Sequence, residues 1–112
     1  MTEINLSQEF AKEFSELQKR RENGDGEAEY LLKLIDKGIA KLVENYESGQ
    51  KIRKNLWPKY YMEKYGLNNL WRLRLDDDWR MIYTVIGDQI RIIAVILEVL
   101  SHKEYDNRFG YK

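Results

Sequence analysis

Two different spacings of apolar residues divide the chain: helical spacing in the first half, then alternation from Asn69 onward. Ala28, Leu31, Leu32, Ile35, Ile39, Leu42, Val43 and Tyr46 fall on one face of a helix that follows the breaker Asn23-Gly24-Asp25-Gly26 and ends near Ser48-Gly49. Upstream, Ser7 is placed to cap a shorter helix with apolar positions at Phe10, Ala11, Phe14 and Leu17. The opening Glu3-Ile4-Asn5-Leu6 alternates and predicts a short strand. Two helices, each with a narrow apolar stripe and joined by a short polar turn, predict an antiparallel pair that covers a sheet. Residues 50–69 are less periodic and are interrupted at Trp57-Pro58, so a connecting loop with room for one helical turn is expected there.

Beyond Asn69, parity predicts how the strands pair. Trp71, Leu73 and Leu75 alternate with Arg72 and Arg74; Trp79, Met81, Tyr83 and Val85 alternate with Arg80, Ile82 and Thr84. A three-residue loop at Asp76-Asp77-Asp78 pairs Leu75 with Trp79 and Arg74 with Arg80, which puts the large apolar residues on one face. Gly87-Asp88 signals a two-residue hairpin, and that register pairs Tyr83 with Ile92, Met81 with Ala94 and Trp79 with Ile96. The strands expected are 70–75, 79–86 and 89–100, the last apolar on both faces as a central strand would be. The fold class is α+β: a helical pair on one face of an antiparallel sheet, with a short N-terminal strand.

Composition narrows the function. A chain of 112 residues is one domain's worth, expected to span 1–112. No apolar run reaches the roughly 18 residues of a membrane span and no signal peptide is seen, so a cytoplasmic protein without membrane contact is expected. With no cysteine and one histidine, thiolate chemistry and Cys or His-rich metal sites are excluded, and no cofactor is assigned. The 19 basic and 19 acidic residues cancel overall but not locally. Residues 1–50 hold 7 basic against 11 acidic residues, and residues 51–112 hold 12 against 8. Any nucleic-acid contact must therefore be a local patch in the C-terminal part.

The predicted register supplies one. Arg72, Arg74 and Arg80 share the sheet face away from the helices, with Arg91 farther out and Arg74 directly opposite Arg80. Like charges facing across a ladder are destabilising by roughly 0.2–1 kcal/mol, so the cluster calls for an anion. That anion is either a bound phosphate or carboxylates folding back from Asp76 to Asp78, Glu98 or Glu104. The three aspartates read as a solvated turn, and no metal is assigned to them. Lys51, Arg53, Lys54, Lys59 and Lys64, interleaved with Tyr60, Tyr61 and Tyr65, form either an RNA-contacting stretch or an exposed loop anchored by Trp57. The arginine face also carries Ile82, Ile93, Val95 and Leu97, so it must be covered, by residues 50–69 or by another polypeptide.

The order of elements, with Arg72-Leu73-Arg74 followed by Trp79-Arg80-Met81-Ile82-Tyr83 and a terminal Ser101-His102-Lys103-Glu104-Tyr105, resembles the RelE/ParE toxin superfamily of type II toxin–antitoxin systems. In its RelE branch the resemblance implies a ribosome-dependent endoribonuclease that cuts messenger RNA and so inhibits translation. Arg80 then matches the phosphate-stabilising arginine, and Arg72 and Arg74 match the basic residues that position RNA. His102-Lys103 resembles the late His-Arg pair, with His102 as the proton carrier, and Tyr105 or Tyr111 fills the late tyrosine position. Read without the family, His102 is a capping or surface residue. The partners implied are an antitoxin, the ribosome and messenger RNA, the antitoxin covering the apolar part of the arginine face. The alternative within the same fold is a binding protein without catalysis, either a ParE-like inhibitor of DNA gyrase or an antitoxin-binding homologue.

Overall fold

The computed structural model describes residues 1–88 and 90–110. Strand β1 (Glu3–Leu6) leads to Ser7, whose hydroxyl accepts the Phe10 amide at 3.0 Å and starts α1 (Gln8–Glu22). Helix α2 (Gly26–Glu44) begins where the Asp25 carboxylate accepts the amides of Glu27 and Ala28. It stops four residues before the expected Ser48, because Asn45 turns extended and its side chain caps a short 3-10 turn at Tyr46–Ser48 instead.

The sheet has five strands in the order β1-β5-β4-β3-β2, with β2 at Gln50–Lys51, β3 at Trp71–Arg74, β4 at Trp79–Gly87 and β5 at Ile92–Ser101. The α+β class and the helical pair on one face are as expected, but β1 lies parallel to β5 and makes the sheet mixed. The first hairpin has the predicted register, with Arg74 opposite Arg80 and the Leu75 amide bonded to the Trp79 carbonyl at 2.9 Å.

The second hairpin departs from expectation by four positions. Tyr83 pairs with Ile96, not Ile92, and Gly87 pairs with Ile92. The connection is longer than two residues because Asp88 organises it: its carboxylate accepts the amides of Ile90 and Arg91 at 2.8 and 2.9 Å. Gly87, with φ +129°, allows the close approach of the Arg91 carbonyl that a Cβ would block. Gln89, expected to open the third strand, lies outside the described residues. Arg91 falls in this loop and pairs with Glu3 of the edge strand at 2.8 Å, well apart from the other arginines.

A bulge corrects the parity farther along. Between Ile82 and Tyr83 the partner jumps from Glu98 to Ile96, leaving Leu97 as the extra residue of β5. The Leu97 carbonyl is satisfied by the Ser7 hydroxyl at 2.9 Å, so one serine both caps α1 and closes the bulge. Leu97 and Glu98 consequently both serve the face away from α1 and α2.

One core lies between α1, α2 and the sheet, around Phe10, Leu32, Ile35, Trp71, Met81 and Ile96. Of the two covers expected for the opposite face, residues 50–69 or the antitoxin that the resemblance implies, the structure shows the chain's own. Residues 50–69 are not a plain loop but contain β2, a 3-10 turn at Lys54–Leu56 and helix α3 (Lys59–Tyr65). With α4 (His102–Phe109), an element the periodicity did not reveal, they bury Ile82, Leu97 and Leu100 against Tyr61 and Tyr105. Leu97 is 2% exposed, and Val95 packs against the same cluster. Leu97→Ala is therefore expected to lower stability by about 2–5 kcal/mol, measured by urea unfolding of the isolated chain.

Candidate functional site

The second cover is incomplete. Where β2, β3 and the start of α4 meet, a cleft of about 560 Å³ remains, lined in part by Lys41, Gln50, Arg72, Arg74, Arg80, His102, Tyr105 and Asp106. Five of the six residues singled out from the sequence converge here. Lys103 does not line the cleft and stands exposed on α4. Tyr111, the alternative to Tyr105, lies outside the described residues.

Each arginine is held by different groups. Arg72 donates from Nε and Nη2 to the Gln50 side-chain oxygen at 3.2 and 3.0 Å, and from Nη1 to the Tyr105 hydroxyl. Gln50 can reach it because Gly49 packs directly on the Arg72 backbone, where a Cβ would overlap the Arg72 carbonyl and stand 2.6 Å from the Tyr83 hydroxyl. Burial pushes that hydroxyl up to about 12, so it stays protonated, donating to the Tyr46 carbonyl at 2.7 Å and accepting the Gly49 amide at 3.1 Å.

Arg74 and Arg80 are reconciled by the aspartate turn between their strands. The Asp77 carboxylate pairs with Arg74, while Arg80 donates from Nη1 to the backbone carbonyls of Asp76, at 2.8 Å, and Trp79, at 3.2 Å. The fold-back of the acidic turn is thus real for Arg74, whereas Glu98 bonds elsewhere. Arg80 is half-buried rather than open, and only one of its nitrogens is engaged among the described residues. The Asp76 carboxylate forms no ion pair among the described residues, although the Arg80 charge nearby favours its ionised form. One of its oxygens accepts the amides of Asp78 and Trp79, and the other accepts the Tyr30 hydroxyl of α2 at 2.6 Å. Partial desolvation raises its pKa, but these hydrogen bonds outweigh that and hold the carboxyl below its ordinary value. Among the described residues, no group of three or more His, Asp or Glu side chains converges as a metal site.

His102 is the first residue of α4. Ser101 caps that helix through a reciprocal box with Glu104, at 3.2 and 2.9 Å, and Gly110 ends it in the left-handed region. The helical turn sets Asp106 beside His102, Nε2 to Oδ2 at 3.2 Å, and points Tyr105 under Arg72. Behind, the buried Glu98 carboxylate accepts from the Tyr61 hydroxyl and from Arg108 at 2.8 Å, pinning α4 to β5 and α3. Burial and the adjacent Glu98 charge push the Tyr61 hydroxyl far up, so it remains a donor.

Sequence reasoning missed Lys41, Gln50 and Asp106. The signal for Asp106 was present: Ser101-x-x-Glu104 is a capping box, and a helix from 102 places residue 106 one turn from His102. Nothing local marked Lys41 or Gln50, which arrive through the packing of α2 and β2.

An α+β domain whose incompletely covered sheet face holds a cluster of arginines has the toxin fold expected from the resemblance. A structure of the YoeB/ParE toxin from Agrobacterium tumefaciens superposes with a TM-score of 0.60 at 11% sequence identity, over 90% of this chain and 99% of that one. The family model for the ParE toxin of type II toxin–antitoxin system, parDE, matches residues 4–104. The chain belongs to this family, within the RelE/ParE superfamily, and an antitoxin is the partner that membership brings. No match was found among curated proteins. No helix among the described residues is long and apolar enough to cross a membrane.

Two outcomes test the geometry. Gly49→Ala is expected to drive β2 off β3 and cost about 1–3 kcal/mol, with faster amide exchange at Lys51 and Ile52 reporting the loosened edge. For Asp76, the depressed pKa means its contribution is complete above the ordinary carboxylate value of about 3.9 and is lost as pH falls through the lower folded value. Tyr30→Phe should therefore be less stable than wild type at neutral pH, with the gap narrowing in acid, followed by thermal melts between neutral pH and about pH 2.5, below that ordinary value.

Proposed function

We propose that this toxin acts as a RelE-like, ribosome-dependent endoribonuclease that cleaves messenger RNA and inhibits translation until its antitoxin binds. The observation that supports this most is the convergence of three arginines and an Asp-paired histidine on one accessible cleft. In such cleavage the ribose O2′ bonds to the adjacent phosphorus as the P–O5′ bond breaks. A base must accept the O2′ proton, cations must hold the charge growing on phosphorus, and an acid must protonate O5′.

Arg72, Arg74 and Arg80 would hold the phosphate. Guanidinium groups are poor bases, so their role is charge and position. The Arg74–Asp77 pair is exposed on both sides, and exposed pairs are worth only about 0–1 kcal/mol, so a phosphate displaces Asp77 with little loss. His102, oriented by Asp106, carries the proton, and Tyr105 fixes Arg72. Lys103 has no part in the step on this reading, in contrast with the pairing the resemblance implies.

A second reading is kept because the matched family model is that of ParE. Inhibition of DNA gyrase requires a binding surface and neither acid nor base. The two readings part on one pair of assays, messenger RNA cleavage on programmed ribosomes and gyrase supercoiling. His102→Gln is expected to slow single-turnover cleavage by about 10²–10⁴-fold while ribosome binding is retained. Arg80→Lys is expected to lose about 10²–10³-fold, the lysine still reaching the turn carbonyls. Cleavage at wild-type rate in both variants, or gyrase inhibition without cleavage by the wild-type chain, would overturn the nuclease reading.

A further inference from the structure

Between Glu47 and Glu63 the chain carries Lys51, Arg53, Lys54 and Lys59 and no acidic residue. All four are exposed, and none forms an ion pair among the described residues. The stretch is nonetheless fixed in place. Ile52 is buried, its amide donates to the Leu70 carbonyl at 2.8 Å, and its own carbonyl accepts the Trp57 indole N–H at 2.8 Å. The cations are thus presented on an anchored backbone, with no carboxylate paired to them among the described residues; Lys51 Nζ lies 6.0 Å from the centre of the Trp71 ring.

Their placement is continuous with the cleft. A hollow of about 480 Å³ lined by Lys51, Arg53 and Leu56 shares Gln50 and Arg72 with the cleft. A second hollow of about 400 Å³ shares Lys51, Ile52 and Arg53 with the first and adds Lys54 and Trp57. Neighbouring concavities thus share lining residues, and we read the three as one furrow that leaves the arginine cluster past Arg72.

We propose that this furrow is a track for single-stranded RNA, binding the strand that flanks the phosphate held in the cleft. Lys51, Arg53 and Lys54 contact backbone phosphates, and the half-buried Trp57 beside them offers a base a stacking surface. The chemistry favours RNA over an acidic helix, because a helix in a groove needs apolar pockets one turn apart. Here Ile52 is buried, and Leu56, 40% exposed, is the one large aliphatic side chain available among the hollow-lining residues. The inference rests on reading the cleft as an RNA site.

The test is the salt dependence of binding of a labelled single-stranded RNA of about 12 nucleotides to the full chain, wild type against the triple variant Lys51→Gln, Arg53→Gln, Lys54→Gln. Each lost phosphate contact removes about 0.7 from the slope of log K against log salt, so a reduction of about 2 is expected, with an unchanged melting curve. An unchanged slope overturns the proposal. So does failure of the wild-type chain to bind this RNA at low salt, or a loss confined to binding of a glutamate peptide of equal charge. Failure of the nuclease reading looks different: the slope falls as expected in the triple variant, while wild-type chain on ribosomes cuts no message.

Discussion

A strand that is apolar on both faces has to be covered twice, and β5 carries Ala94, Ile96 and Val99 on one side and Leu97 and Leu100 on the other. The helical pair supplies the first cover from the N-terminal half of the chain. The second is assembled from short pieces, α3 and α4, neither longer than 8 residues. Short pieces leave gaps, and the gap at the β2–β3 edge is the cleft. Its polar lining follows from where the second cover stops: beyond it, the outward positions of β3 and β4 hold Arg72, Arg74 and Arg80 in place of aliphatic residues.

Electrostatics then acts within a frame already set by burial. Arg74 and Arg80 face each other because the hydrophobic parity of β3 and β4 requires that register, not because the charges favour it. The aspartate turn makes the arrangement tolerable by offering one carboxylate and several carbonyls. The contacts are solvent-accessible on the Arg74 side and half-buried on the Arg80 side, so the two arginines differ in how freely they can turn to an incoming anion.

What was legible in the sequence follows the same division. Periodicity found both helices and all the long strands, and parity placed Arg74 opposite Arg80, because one-sided burial leaves an unambiguous alternation. The second hairpin was misread since β5 is apolar throughout, so that a slip of four positions preserves the pattern, and only the Asp88 turn and the bulge at Leu97 select the true pairing. Of the second cover only room for one helical turn in residues 50–69 was legible, because α3 is a single tyrosine-rich segment of 7 residues, whose packing depends on partners distant in the chain. Of the site, the strand residues and His102 could be named from the sequence, while Gln50 and Lys41 owe their places to tertiary packing alone.

The buried Glu98 has a consequence for how such a chain can vary. Its carboxylate serves Tyr61 and Arg108 at once, so loss of either partner leaves a charge in the interior with half its bonds, and loss of Glu98 strands a guanidinium over the Tyr60 ring. The three positions are bound to one another as a single unit of packing. The helix that bears His102 is thus seated by a tyrosine from α3 and a glutamate from the sheet, and a change at any one of the three is felt at the other two.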